Sequence, residues 1–161
     1  MNTAPNPSVF LADETATAAL GASLAAVLRA PLVVYLDGDL GAGKTTFTRG
    51  LLRGLGHEGA VKSPTYAIVE SYQPGNFALH HFDLYRFAAP EEWEDAGLDD
   101  LTGNSVCLIE WPEKGSGFAP APDMTLRLSH LSDGRRAEII AHTANGQEQS
   151  AQWISNLPAA K

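Results

Sequence analysis

An eight-residue phosphate-loop motif is the feature that most constrains what this chain can fold into. Residues Gly38 to Thr45 match the pattern G-x-x-x-x-G-K-[ST], and they follow directly on the apolar run Leu32 to Leu36. In such a loop the glycines let successive backbone N–H groups point at one anion, and the next helix adds its positive N-terminus. Lys44 would reach the outer phosphates, and the Thr45 hydroxyl would be a ligand for Mg²⁺. The candidate phosphate-binding residues are Asp39, Leu40, Gly41, Ala42, Gly43, Lys44, Thr45 and Thr46.

Length and charge narrow the classes of function. A chain of 161 residues is expected to form one domain spanning 1–161, with a frayed tail at Met1 to Ser8. The net charge is -8, with 11 Lys and Arg against 19 Asp and Glu, so direct binding of nucleic acid is not expected. The sequence predicts neither a signal peptide nor a membrane span. Cys107, in an apolar run, is expected to be a buried thiol. These three expectations indicate a cytoplasmic protein.

The pattern along the chain predicts an α/β fold. Asp13 is expected to cap a helix that Pro31 ends, and a second helix is expected over Lys44 to Leu55. The remaining predicted elements are a hairpin of Tyr66 to Tyr72 with Phe77 to Leu84, a short acidic helix at Pro90, a strand over Ser105 to Trp111, a hairpin of Met124 to Leu131 with Arg136 to His142, and a helix over Gln147 to Leu157. These elements predict a mixed sheet, with parallel strands and antiparallel hairpins, and helices on both faces.

Two carboxylates follow apolar runs and are candidates for the metal or its waters. Asp83 and Glu110 each end a predicted strand, where ligands collect in open α/β sheets. Either one could instead be an ordinary strand-end carboxylate that caps a turn or pairs with Arg86. The segment Ser63-Pro64-Thr65 follows the phosphate-loop helix, where nucleotide hydrolases often place a loop that senses the terminal phosphate, although it could also be a plain turn.

Three further residue types invite a functional interpretation. Arg86 could supply a cation to the transition state or form a surface ion pair. Trp111 could shield the site or belong to the core. His80 and His81 suggest a metal pair, but adjacent strand residues face opposite sides of a sheet, so we reject that interpretation.

Four sequence blocks together resemble the TsaE (YjeE) family, whose members are the small ATPase component of the bacterial machinery that makes threonylcarbamoyl-adenosine in tRNA. The blocks are Gly38 to Thr46, Ser63-Pro64-Thr65, His81-Phe82-Asp83-Leu84-Tyr85-Arg86 and Ile109-Glu110-Trp111-Pro112-Glu113. The resemblance runs from about Asp13 to Arg136.

The resemblance implies a role for each matched position. Lys44 and its loop would bind the phosphates of ATP, and Thr45 with Glu110 would bind Mg²⁺. Asp83 would be needed for hydrolysis. Thr65 would act in hydrolysis from the switch-like loop Ser63-Pro64-Thr65.

The resemblance also implies contacts beyond the phosphates. Glu14 and Arg135 would contact adenine. Partners would be the other proteins of the machinery, of the TsaB and TsaD type, so that tRNA is reached only through the complex. Activity in isolation would be weak.

Two other enzyme classes and one binding class share a phosphate loop. A small-molecule kinase usually needs several arginines in a lid, and the seven arginines here form no such cluster. A GTPase would carry an Asn-Lys-x-Asp type motif, which the sequence lacks. A nucleotide-dependent interaction module, in which binding matters more than turnover, partly merges with the family interpretation.

Overall fold

A computed structural model describes residues 6–39 and 41–157 as one seven-stranded sheet with helices packed against it. The strands are β1 (Ser8–Leu11), β2 (Leu32–Asp37), β3 (Val69–Tyr72), β4 (Ala78–Asp83), β5 (Ser105–Glu110), β6 (Met124–Leu131) and β7 (Gly134–Ala141). The α-helices are α1 (Glu14–Ala25), α2 (Lys44–Gly54), α3 (Glu92–Asp95) and α4 (Ala144–Ser155), and 3-10 helices cover Leu98–Leu101 and Pro112–Gly115. None of these helices is long and apolar enough to span a membrane.

The sheet is mixed, which confirms the predicted fold class. Its strand order is β1-β7-β6-β2-β5-β4-β3. The four central strands β6, β2, β5 and β4 are parallel, whereas β3 pairs antiparallel with β4, and β7 pairs antiparallel with both β6 and β1. Because β2, β4 and β5 run in the same direction, their carboxyl ends meet at one edge, where ligands bind in open α/β sheets.

Side-chain alternation along the central strands divides the core between the two faces of the sheet. One face packs against α1, α2 and α4, with Leu24, Phe47 and Trp153 fully buried there. The opposite face packs against shorter elements, including Trp93 of α3. Helices therefore lie on both faces as predicted, but on the second face the helices are short, and loop residues such as Phe87 and Phe118 complete the cover.

The amino-terminal segment differs from the predicted tail. Ser8 begins β1 instead of ending a frayed segment, and β1 pairs with β7 from Ser8↔Glu138 to Leu11↔Arg135. A strand of four residues shows too little alternation to be recognised locally, and its partner lies far along the chain. Asn6 and Pro7 of the predicted tail also contact β7, at Glu138 and Ile139, whereas residues 1–5 lie outside the described residues.

Three predicted element bounds were wrong. α1 ends at Ala25, well before Pro31, although Leu28 beyond it is still buried. β3 begins at Val69, because Ile68 adopts a left-handed φ of 71° that interrupts the strand. Tyr66 to Ile68, predicted to belong to the strand, therefore form a loop. α4 begins earlier than predicted, because the Thr143 hydroxyl accepts a hydrogen bond from the Gly146 N–H and caps the helix.

Candidate functional site

The phosphate loop lies between β2 and α2, at the edge where the parallel strands end. Gly43, with a φ of 108°, immediately precedes α2 and has no side chain to cap it, so the first N–H groups of the helix carry no side-chain cap. A Cβ at Gly43 would lie 3.2 Å from the Thr17 methyl and 3.5 Å from Nη1 of Arg135, in addition to straining the backbone. The loop therefore needs glycine here on two counts. Leu40 lies outside the described residues.

Lys44 occupies a buried position in the middle of the site and is only 6% exposed. Its Nζ donates a hydrogen bond to the Gly38 carbonyl at 2.7 Å and lies 3.7 Å from Oε1 of Glu110. The ammonium also lies 4.8 Å from the centre of the Trp111 ring. A buried ammonium requires such partners, because it has lost the hydration that stabilises its charge. Trp111, half-buried, thus shields the lysine.

The two predicted carboxylates lie side by side, since Asp83 pairs directly with Glu110 in the β4–β5 register. Both are buried, but they have different partners. Asp83 accepts hydrogen bonds from Thr65 Oγ1 at 3.1 Å and from the Tyr85 N–H at 2.9 Å. Glu110 contacts His81 Nε2 through Oε2 at 2.6 Å and faces Lys44 through Oε1. The site therefore holds two carboxylates in distinct environments.

The loop between α2 and β3 reaches Asp83 through hydroxyl groups. Ser63 Oγ lies 2.9 Å from Thr65 Oγ1, which in turn bonds Asp83. The Ile68 N–H donates to the Pro64 carbonyl at 2.7 Å, and the Ile68 carbonyl accepts from the Asp83 N–H at 2.8 Å. Because a β-branched residue at positive φ is strained, Ile68 shows that tertiary contacts hold this loop against β4.

A cavity of about 210 Å³ joins these groups. Most of the predicted site residues line it: Glu14, Gly41, Gly43, Lys44, Thr45, Thr46, Thr65, Asp83, Glu110 and Arg135, together with Ser63. Asp39 is exposed and Ala42 is buried in the core, and neither side chain lines the cavity. Another cavity, of about 610 Å³, is lined by residues including Tyr35, Asp37, Thr125 and Arg127, and by none of the phosphate-loop residues. The smaller one is the candidate site, because it gathers the phosphate loop and both carboxylates.

The hairpin of β6 and β7 closes the side of the cavity next to α1. Arg135 Nη2 donates to the Gly41 carbonyl at 3.3 Å, and its Nη1 donates to Thr17 Oγ1 at 3.4 Å. Glu14, in the first turn of α1, lines the same cavity. The structure therefore places both predicted adenine-contact residues beside the phosphate loop.

Arg86 and His81 make contacts that the sequence interpretation did not include. The Arg86 guanidinium stacks over the ring of Tyr66, 4.3 Å from its centre, and does not line the cavity. His81, rejected above as half of a histidine metal pair, contacts Glu110 instead. The available signal was strand alternation, which places His81 and Asp83 on one face and His80 on the other.

The geometry suits a hydrated Mg²⁺ bound together with phosphates. Mg²⁺ prefers oxygen ligands and usually binds through one or two carboxylates, several waters and substrate phosphates. The cavity offers the Thr45 hydroxyl and two carboxylates at the edge of the phosphate loop, and Glu110 Oε1 faces it. These donors fit the ion that the motif implies.

Comparison with known proteins gives a consistent family. The family model described as "Threonylcarbamoyl adenosine biosynthesis protein TsaE" matches residues 11–138. Over 144 residues, the chain is 46% identical to the tRNA threonylcarbamoyladenosine biosynthesis protein TsaE of Haemophilus influenzae, covering 86% of this chain and 91% of that protein. It is 36% identical over 140 residues to the protein of that name from Bacillus subtilis, and the match covers 86% of this chain and 87% of that protein.

A solved structure shares the fold. The crystal structure of YdiB from Bacillus subtilis superposes with a TM-score of 0.80 at 27% sequence identity. The match covers 96% of this chain and 98% of that chain. The arrangement of sheet and helices is therefore common to both proteins.

Proposed function

The chain belongs to the TsaE family, as its resemblance predicted, and on that premise we propose that it binds Mg-ATP and hydrolyses it in support of threonylcarbamoyl-adenosine formation in tRNA. One observation carries the proposal. Lys44, Asp83 and Glu110 converge on one cavity at the amino end of α2, the arrangement that phosphoryl-transfer chemistry requires.

The binding step rests on charge and backbone geometry. The phosphates would take the place of the Gly38 carbonyl and Glu110 as partners of the Lys44 ammonium, and the uncapped N–H groups of α2 would face them. Thr45 and Glu110 would hold Mg²⁺. When bound, the ion would neutralise the charge on the phosphate oxygens.

The hydrolytic step rests on Asp83 and the loop that contacts it. Attack on a terminal phosphate needs a positioned water, and a carboxylate that accepts hydrogen bonds can orient one. Thr65 donates to Asp83 Oδ2, and the Tyr85 N–H donates to Oδ1. We assign Asp83 to orient the water and Thr65 to fix Asp83 and sense the terminal phosphate.

Adenine is expected to be preferred over guanine, since the sequence lacks the Asn-Lys-x-Asp type motif. Glu14 and Arg135 line the cavity and are the proposed adenine contacts. We further propose that the protein works in the cytoplasm with partners of the TsaB and TsaD type, which bind tRNA. The net charge of -8 supports this division, because free binding to nucleic acid depends on positive charge.

Calorimetry with Mg-ATP tests the proposal. Lys44→Ala should lower affinity by about 10- to 100-fold, because it removes a charge-assisted contact to the phosphates. Lys62→Ala, at an exposed lysine outside the cavity, is the matched control and should bind like the unmodified chain. GTP should displace bound ATP less well than ADP does. Unchanged affinity in Lys44→Ala, or phosphate transfer by the protein alone to a small molecule, would contradict the proposal, the second in favour of a kinase.

A further inference from the structure

His81 is a fully buried histidine whose only polar contact among the described residues is with Glu110. Its Nε2 lies 2.6 Å from Oε2 of that carboxylate, and both side chains are buried. Its other ring nitrogen, Nδ1, has no hydrogen-bond partner in the described part of the chain. The ring is therefore tied to the rest of the molecule at a single polar atom.

Burying a half-satisfied imidazole costs free energy that an apolar side chain would not cost. Leu79, two residues earlier on the same face of β4, shows the apolar residue type that this core accepts. His80, on the opposite face, is bonded through Nδ1 to Ser71 Oγ at 2.7 Å. The contact with Glu110 is thus what distinguishes His81 from an apolar core residue such as Leu79, which could not make it.

The direction of the hydrogen bond follows from the chemistry of the two groups. A carboxylate that binds Mg²⁺ is ionised and can only accept, so in the metal-binding state the shared hydrogen lies on Nε2 of His81. Because His81 precedes Asp83 by two residues, and Asp83 is paired with Glu110, the imidazole lies on the same face of the sheet as Glu110 and approaches it from the neighbouring strand. Oε1 of the carboxylate is left facing Lys44 and the cavity.

We infer that His81 is a positioning residue: its hydrogen bond fixes Oε2 of Glu110, so that Oε1 faces the Mg²⁺ bound with ATP. The inference rests on the proposed function. Groups that orient a metal-ligating side chain typically change metal affinity 10- to 100-fold when they are removed. Without the tether, Glu110 is free to close further on the Lys44 ammonium, which already lies 3.7 Å from Oε1, and the tighter ion pair would compete with both the metal and the phosphates.

Two amide substitutions separate positioning from packing. In His81→Gln the amide nitrogen stands where Nε2 stands, whereas in His81→Asn it stands where Nδ1 stands, too far back to reach Glu110. The affinity for a non-hydrolysable ATP analogue is measured for each chain in Mg²⁺ and in EDTA, and the ratio of the two gives the gain due to the metal. His81→Asn should lose about ten-fold of that gain, and His81→Gln should keep it within about three-fold.

The controls decide between positioning and general damage. His80→Asn, on the other face of the same strand, should leave the ratio unchanged, and denaturant unfolding of all variants should show that each is folded. The inference is overturned if the ratio of affinity in Mg²⁺ to affinity in EDTA does not differ between His81→Asn and His81→Gln. It is also overturned if His81→Asn lowers affinity by the same factor in Mg²⁺ and in EDTA. An unmodified chain that shows no gain from Mg²⁺ would overturn the proposed function and this inference together, which distinguishes the two failures.

Discussion

At the scale of single residues, Asp83 and Glu110 are neighbours in the sheet with different partners. Hydrogen-bond donors from Thr65 and the backbone surround Asp83, while an imidazole and an ammonium flank Glu110. Loops change conformation more readily than strands, so the contact with Thr65 suits a group that acts during turnover. The contacts of Glu110 come from a strand and from the start of α2, which suits a fixed metal ligand. The two carboxylates are therefore not interchangeable.

Isosteric amides should separate the two roles. Glu110→Gln removes the charge of the proposed metal ligand, so Mg²⁺-dependent nucleotide affinity should fall at least about ten-fold. Asp83→Asn should keep that affinity within about three-fold and lower the single-turnover hydrolysis rate about 100-fold or more, since it removes the group proposed to orient the water. Calorimetry and single-turnover assays give the two readouts. Asp100→Asn, at an exposed acid in the 3-10 helix Leu98–Leu101 that does not line the cavity, is the control. Identical profiles for the two site variants would disprove the division.

At the scale of elements, the packing of α1 on α2 fixes the position of the helix start at which the phosphate loop ends. The helices approach so closely that a Cβ at Gly50 would lie 2.0 Å from the Ala18 carbonyl oxygen, and a Cβ at Gly21 would lie 2.2 Å from that of Phe47. Backbone atoms cannot move aside as a flexible side chain does. Because α2 starts at Lys44, any separation of the helices also displaces the loop.

Gly50→Ala should therefore destabilise the fold despite the better helix propensity of alanine. We expect a loss of about 2 kcal/mol or more from overpacking, which corresponds to a fall in Tm of about 4–8 °C for a chain of this size. Nucleotide affinity should fall with it, because α2 carries Lys44. Thermal unfolding and calorimetry measure both effects. Gly103→Ala is the control, since a Cβ at Gly103 has no neighbour within 4 Å, and a Gly50→Ala protein as stable as this control would contradict the packing argument.

At the scale of the whole molecule, the candidate site opens beside an exposed aromatic surface. Tyr66 follows Thr65 in the loop, is 81% exposed and stacks with Arg86. Tyr85 is also exposed and packs against Trp111. Tyrosine and arginine are enriched at protein interfaces, and this surface is joined to Asp83 through Thr65. A nucleotide-dependent change in the loop would therefore alter a surface suited to partner proteins.

Reconstitution with the other components of the modification machinery tests this coupling. Tyr66→Ala should leave nucleotide affinity of the isolated protein within about two-fold, yet reduce multiple-turnover tRNA modification about ten-fold or more, as loss of an interface tyrosine does. Partners should also change nucleotide affinity, because coupling in binding is reciprocal. Gln73→Ala, in the turn at the opposite end of β4, should have no effect. Full-rate sustained modification with Tyr66→Ala, or without the protein, would refute the coupling.

The sequence by itself determined the strand, phosphate loop and helix around Lys44, because glycine placement, strand alternation and helix capping act within a few residues of one another. It also indicated that Asp83 and Glu110 are strand-end carboxylates. Four short motifs predicted the family. The position of each group at the edge of the sheet follows from the parallel direction of β2, β4 and β5.

Only the tertiary structure decided which strands are neighbours, and so which side chains meet. The register of β4 on β5 places His81 against Glu110, and β7 brings Arg135 over Gly41 and pairs with the unpredicted β1. These contacts join residues far apart in sequence. Strand order depends on the burial gained by the whole sheet and its helices, which no local pattern encodes.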